Sequence, residues 1–124
     1  MRYMFLVTQT KGGQPPQALI DAMEEARKQA VSDGGMISTG GLAPAEQSAR
    51  ATLKGGTLTV KDGPFAEAKE LVGGYAIMEH PTREAAVEAG RWLMEMHRKY
   101  WPEWEGWVDV RPMFEAAELQ QAHG

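Results

Sequence analysis

The chemically densest part of the chain is the run Asp62-Gly63-Pro64-Phe65-Ala66-Glu67-Ala68-Lys69-Glu70. A carboxylate at Asp62 can accept bonds from the backbone N–H groups that follow it, as Asx-turns do. Gly63 and Pro64 fix a bend, and Phe65 is expected to anchor it in the core. Glu67, Lys69 and Glu70 then bring two carboxylates and an ammonium into a few residues. Inside a cleft, such a set can bind a polar ligand or move a proton. On an open surface the same residues are a well-made turn followed by a solvated charged helical turn.

Of the three histidines, His97 carries the most chemical promise. It follows Leu93 by four positions, at the margin of an apolar helix face, and precedes Tyr100-Trp101-Pro102-Glu103-Trp104. A partly buried imidazole there serves either as a general base near neutral pH or as a hydrogen-bonded packing residue. His80, before Pro81, has a capping or surface role, and His123 lies in a polar tail. No two histidines have the i, i+4 spacing of a helical zinc site, so no metal centre and no cofactor is expected. Four tryptophans, at 92, 101, 104 and 107, fall within sixteen positions. Trp92 fits the core face of a helix. The other three either line a pocket for a flat apolar ligand, bury at a subunit contact, or pack on the domain's own core.

Arg111 stands in an otherwise apolar run, Val108-Asp109-Val110-Arg111-Pro112. Alternation puts it with Asp109 and opposite Val108 and Val110. It either pairs with an acidic neighbour at the surface or serves a site. The site expectation is that Asp62, Glu67 or Glu70, and Arg111 converge on one cleft at a dimer edge, walled by Trp101 or Trp104. There arginine would orient an anionic or carbonyl group and a carboxylate would take or hold a proton.

The elements that must position these residues are readable from periodicity. Tyr3 to Thr8 is aromatic and β-branched and reads as a buried strand. Pro15-Pro16 suits a helix start. Leu19, Ile20, Met23, Ala26, Ala30 and Val31 recur at helical spacing up to Asp33-Gly34-Gly35, which stops the helix. Met36 to Thr39 is a short strand, and Leu42 to Ala49 a surface connection. Arg50 to Leu53 and Thr57 to Val60 flank Lys54-Gly55-Gly56, a hairpin signal. Gly74 to Glu79 is another strand. Pro81-Thr82 opens a second helix with Ala85, Ala89, Trp92, Leu93 and Met96 as its apolar face, ended by Pro102. Trp107 to Phe114 is the last strand, and residues 115–124 form a polar tail with at most a helical turn, leaving 1–114 as a single domain. The order β-α-β, hairpin, β-α-β predicts an α+β, ferredoxin-like split β-α-β sandwich with an extra hairpin. Helices cover one sheet face. A second copy of the chain is the simplest cover for the other, which predicts a homodimer.

Composition excludes several functions. The chain has 124 residues, no cysteine and a formal charge of −4. Disulfides, thiolate metal sites and cysteine nucleophiles are ruled out. Thirteen Lys+Arg against seventeen Asp+Glu does not provide the basic stripe of a duplex nucleic-acid binder. No apolar run approaches the roughly 20 residues of a membrane span. The apolar start Met1 to Val7 is too short for a signal peptide, so the expected address is the cytoplasm.

Asp62-Gly63-Pro64-Phe65-Ala66-Glu67, the Lys69-Glu70 pair and Gly73-Gly74 resemble the signature of the YCII-related family, in its DGPF-domain branch. Gly40-Gly41-Leu42 is similar to the family's glycine-leucine turn. His97 with Trp101-Pro102, then Val110-Arg111-Pro112, resembles the end of its longer members. The likeness runs from Tyr3 to about Phe114. It implies a ferredoxin-like α+β fold of the dimeric α+β barrel type and a homodimer with facing sheets. Most members of this branch have no assigned reaction, and an association of some with sigma factors is implied by their gene neighbourhood. Enzyme-like relatives in the wider family are thought to pair a histidine on the first helix with an aspartate. The helix Pro16 to Asp33 contains no histidine, and Glu24 or its neighbours occupy that region, so this dyad does not carry over. Asp62 is kept as a candidate because it belongs to the branch's own motif.

Three functions remain open on the sequence. The first is a small dimeric protein that binds a small molecule or regulates without catalysis. The second is an acid–base enzyme acting on a small, aromatic substrate through Asp62, His97 and Glu67 or Glu70. The third is a protein partner of a sigma factor.

Overall fold

A computed structural model describes residues 1–65 and 71–123. Four strands form one sheet: β1 (Arg2–Lys11), β2 (Met36–Gly41), β5 (Leu71–Glu79) and β6 (Glu105–Pro112), in the order β2-β5-β1-β6. Strands β3 (Ala49–Lys54) and β4 (Thr57–Asp62) form a separate two-stranded hairpin. Helices α1 (Gln17–Ser32) and α2 (Arg83–Tyr100) make the crossovers β1-α1-β2 and β5-α2-β6. β1 runs antiparallel to both of its neighbours, and β2 antiparallel to β5. These are two interleaved β-α-β units, the ferredoxin-like α+β arrangement.

Pairing register assigns the faces. Tyr3, Phe5 and Val7 lie opposite Pro112, Val110 and Val108 on one side. On this side Tyr3, Phe5 and Ala86 are buried, with Ala76, Met78, Ala89, Val108 and Val110 packed around them. The other side carries Met4, Leu6, Tyr75 and Ile77, all half-buried, with Trp107, Asp109 and Arg111 on β6. α2 packs on β6 and, through Ala86 and Gly90, over Tyr3 and Phe5 of β1.

Both helices turn inward largely the face that hydrophobicity selects, Leu19, Met23, Ala26 and Ala30 on α1 and Ala85, Ala89, Leu93 and Met96 on α2 being buried or half-buried, and the departures lie at its margins. On α2 the buried residues are Ala86, Gly90 and His97, while Trp92 is 45% exposed. The reason is clearance. A β-carbon at Gly90 would stand 2.8 Å from Val110 Cγ2 and 3.4 Å from Val108 Cγ1, so only the smallest residues fit beneath the helix. Trp92 is thereby moved off the core side. On α1 only Leu19 is buried, and Ile20 and Val31 are exposed.

Local signals act as their chemistry requires. The Thr82 side chain accepts from the Ala85 N–H and caps α2. Gly55 and Gly56, with φ of 55° and 80°, form the hairpin turn between β3 and β4. The connection before β3 contains a short 3-10 turn, η1 (Ala45–Gln47). The polar segment after β6 is more ordered than a tail: helix α3 spans Ala116–His123. The Glu118 carboxylate accepts from the Glu115 N–H at its start, and Arg2 bridges Glu79 and Glu115. None of the described helices is long and apolar enough to cross a membrane.

Candidate functional site

The structure brings His97, Trp101 and Trp104 together. His97 is on the last turn of α2, and its Nδ1 donates to the Leu93 carbonyl at 2.8 Å. A carbonyl can only accept, so Nδ1 carries the proton and Nε2 has the free lone pair. The imidazole lies 4.4 Å from the Trp104 ring centre and stacks at 6.3 Å on Trp101. Burial pushes its pKa below the ordinary 6.5, outweighing the opposing bond to Leu93. The ring is neutral at physiological pH and engaged in packing.

The rest of the cluster ties two connections together. Trp101 N–H donates to the His97 carbonyl and Trp104 N–H to the Trp101 carbonyl, closing the end of α2. Trp104 Nε1 donates to Gln9 Oε1 at 3.1 Å, and Gln9 Nε2 donates to the Gly13 carbonyl at 3.2 Å. A single amide thus joins the α2–β6 connection to the β1–α1 loop. Gly12 underlies both indoles, since a β-carbon there would stand 2.8 Å from Trp104 Cδ1. Trp101 is buried and Trp104 half-buried, so the cluster is a compact aromatic plug at the end of the sheet.

The Asp-Gly-Pro-Phe turn differs from its expectation. Asp62 is exposed at the last position of β4, opposite Ala49, and its carboxylate accepts no hydrogen bond among the described residues. The turn is closed instead by the backbone. Gly63 N–H donates to the Ser48 carbonyl at 2.7 Å, and a β-carbon at Gly63 would overlap the Ala45 carbonyl oxygen. The Gly63 N–H is taken by Ser48, and Pro64, at the position whose N–H closes an Asx-turn, has none to donate. Phe65 is half-buried, and the Arg50 guanidinium sits 3.9 Å above its ring, a cation–π contact in place of a core anchor. Glu67, Lys69 and Glu70 lie outside the described residues.

Arg111 does not join the aromatic cluster within one copy of the chain. It is opposite Met4 on the open face, five positions along β6 from Gly106, a separation of roughly 16 Å. No hydrogen bond or ring contact among the described residues links it to Asp62, Trp101 or Trp104. Among the described residues the chain therefore does not bring Asp62, Arg111 and the tryptophans into a single cleft.

Two features escaped sequence reasoning. The first is His80, whose ring lies edge-on to Phe5 at 5.8 Å and Tyr3 at 6.2 Å. Its Nε2 is buried with no hydrogen-bond partner among the described residues. Burial, then the nearby chain amino group, lowers its pKa against the opposing charge of Glu79. A strand that alternates into a half-buried Met78 would have signalled it, because His80 then shares the inner face. The second is a shallow groove of about 340 Å³ between α2 and β6, lined by Val87, Gly90, Arg91, Met94, Trp107 and Val108, among others. Its walls are apolar, and no ion pair or hydrogen bond among the described residues engages the Arg91 guanidinium. Nothing in the spacing of these residues unites them, since the groove exists only because Gly90 leaves α2 bare beside β6. The described residues contain no group of three or more His, Asp or Glu able to hold a metal ion.

A search of curated proteins finds no match. The sequence model of the YCII-related domain matches residues 1–93, three quarters of the chain, and stops one helical turn before His97. By its sequence over that stretch and by its α+β fold, the chain belongs to the YCII-related family.

Proposed function

We propose that this chain, as a member of the DGPF-domain branch, is a small cytoplasmic homodimer that binds a small molecule without transforming it. The working unit is residues 1–114. The observation that carries the reading is the groove between α2 and β6. Val87, Met94 and Val108 offer an apolar bed, and Arg91 a fork of donors suited to a carboxylate. The matching ligand is a small apolar or aromatic molecule with one carboxylate or carbonyl group. Catalysis is disfavoured by His97, whose imidazole is spent on Leu93 and two indoles. The dimer is supported by the half-buried strip Met4, Leu6, Tyr75 and Ile77, an apolar surface that facing sheets would cover.

Titration with benzoate, phenylacetate and octanoate, read by thermal shift, tests the reading. At least one probe should raise the melting temperature, because a ligand that binds only the native state stabilises it by about 2.7 kcal/mol at a hundredfold excess over Kd. Arg91→Ala should weaken that probe about tenfold or more. A flat response to all three would overturn the groove as a binding site.

A further inference from the structure

The β3–β4 hairpin is two-faced. Its pairs alternate: Ala51 with Val60 and Leu53 with Leu58 on one side, closed at the base of the hairpin by Ala49 with Asp62, and Arg50 with Lys61, Thr52 with Thr59 and Lys54 with Thr57 on the other. On the apolar side Leu53, Leu58 and Val60 are 70%, 76% and 74% exposed. The two strands contact chiefly each other. An isolated two-stranded hairpin is marginal in water, and a row of bare aliphatic side chains makes it more so. The alternation would be without purpose on an arm wet on both sides, because only burial rewards it.

We infer that this hairpin is an arm whose apolar face packs on the body of a second copy of the same chain. The inference adds a contact to the dimer proposed above and rests on that reading. Charge selects the occupant. Residues 49–62 hold three of the thirteen cations and one of the seventeen anions, a balance of +2, which leaves −6 on the remainder of the chain. The arm is drawn to a body like its own, yet does not pack on it within one subunit. Area agrees. At about 25 cal/mol per Å², burying a Leu or Val side chain corresponds to roughly 80 Å². Three side chains on each of two symmetric arms, with the surfaces that receive them, amount to about 1,000 Å², the size at which a specific interface begins. Lys54 and Lys61, on the basic side of the arm, stay in water and steer the encounter.

Sedimentation equilibrium on the full chain across the micromolar range provides the test. The wild type should sediment at twice 13.6 kDa. Leu53→Asp with Leu58→Asp should weaken the dimer by at least about a hundredfold while circular dichroism stays unchanged, since four leucines lose their cover. Lys54→Glu with Lys61→Glu, which leaves the apolar face intact, takes the arm from +2 to −2 and should weaken the dimer at least about tenfold and reverse its salt dependence, so that added salt strengthens it. Wild-type dimer strength in either double variant overturns the arm. Leu6→Asp serves as the control on the open sheet face. If it yields a monomer while both arm variants dimerise normally, the arm is wrong and the sheet-face dimer stands. A monomeric wild type overturns both.

Discussion

Gly90 of α2 rests directly on Val110 of β6: a β-carbon at position 90 would stand 2.8 Å from Val110 Cγ2. The helix can therefore lie this close to the sheet only where its side chain is missing. Gly90→Val should destabilise the fold by about 2 kcal/mol, the usual cost of overpacking, despite a small gain in helix propensity. A lowered urea midpoint at unchanged m-value would register it. An unchanged midpoint would mean that the helix can lift freely.

Acid should weaken the fold through its buried imidazoles. The unfolded chain takes up protons on His97 and His80 near the ordinary 6.5, and the native state only at lower pH. Their contribution to stability is thus complete above that value and declines as pH falls through it, levelling off below the native pKa values. His97→Phe keeps a ring between Trp101 and Trp104 and removes one titration. Its loss of stability between neutral pH and about pH 5 should be smaller than that of the wild type. Parallel curves would contradict the assignment.

The amide of Gln9 couples two loops through Trp104. Trp104→Phe and Gln9→Ala should each cost about 1 kcal/mol, and the double variant less than their sum by several tenths of a kcal/mol or more. Strict additivity in a double-mutant cycle would show that the 3.1 Å bond adds nothing.

Within the Asp-Gly-Pro-Phe turn, the glycine should matter more than the aspartate. Asp62→Asn is expected to change stability by less than about 0.5 kcal/mol, as at other exposed sites without a partner. Gly63→Ala places a carbon on the Ala45 carbonyl and should cost at least about 2 kcal/mol. Thermal denaturation of the two variants, compared with wild type, would invert this order if Asp62 held the turn.

Backbone signals proved legible because they are local. The Gly55-Gly56 turn, the Thr82 start of α2 and the alternation of β6 each depend on a few adjacent residues. What misled was depth. Hydrophobicity placed Trp92 inward and assigned no depth to Gly90, yet the space over Phe5, Val108 and Val110 admits only a residue without a side chain. For the same reason the groove beside Gly90 had no sequence signature. His97 and the two indoles were nameable as neighbours because they are close in sequence. Their union with Gln9, ninety-five positions from Trp104, required the sheet to bring the end of β1 to the start of β6. Arg111 went astray through distance along a strand, not through its face, which alternation gave correctly.

The four tryptophans divide into two optical populations. Trp101 is 6% exposed and Trp104 half-buried beside His97, whereas Trp92 and Trp107 are 45% and 39% exposed. A water-soluble quencher such as iodide will dim the outer pair and leave the inner pair emitting. Unfolding exposes Trp101 and Trp104, whose rings pack on each other and on His97. The chain thus carries a built-in fluorometer, in which loss of structure is read as the inner pair becoming open to the quencher, without a label.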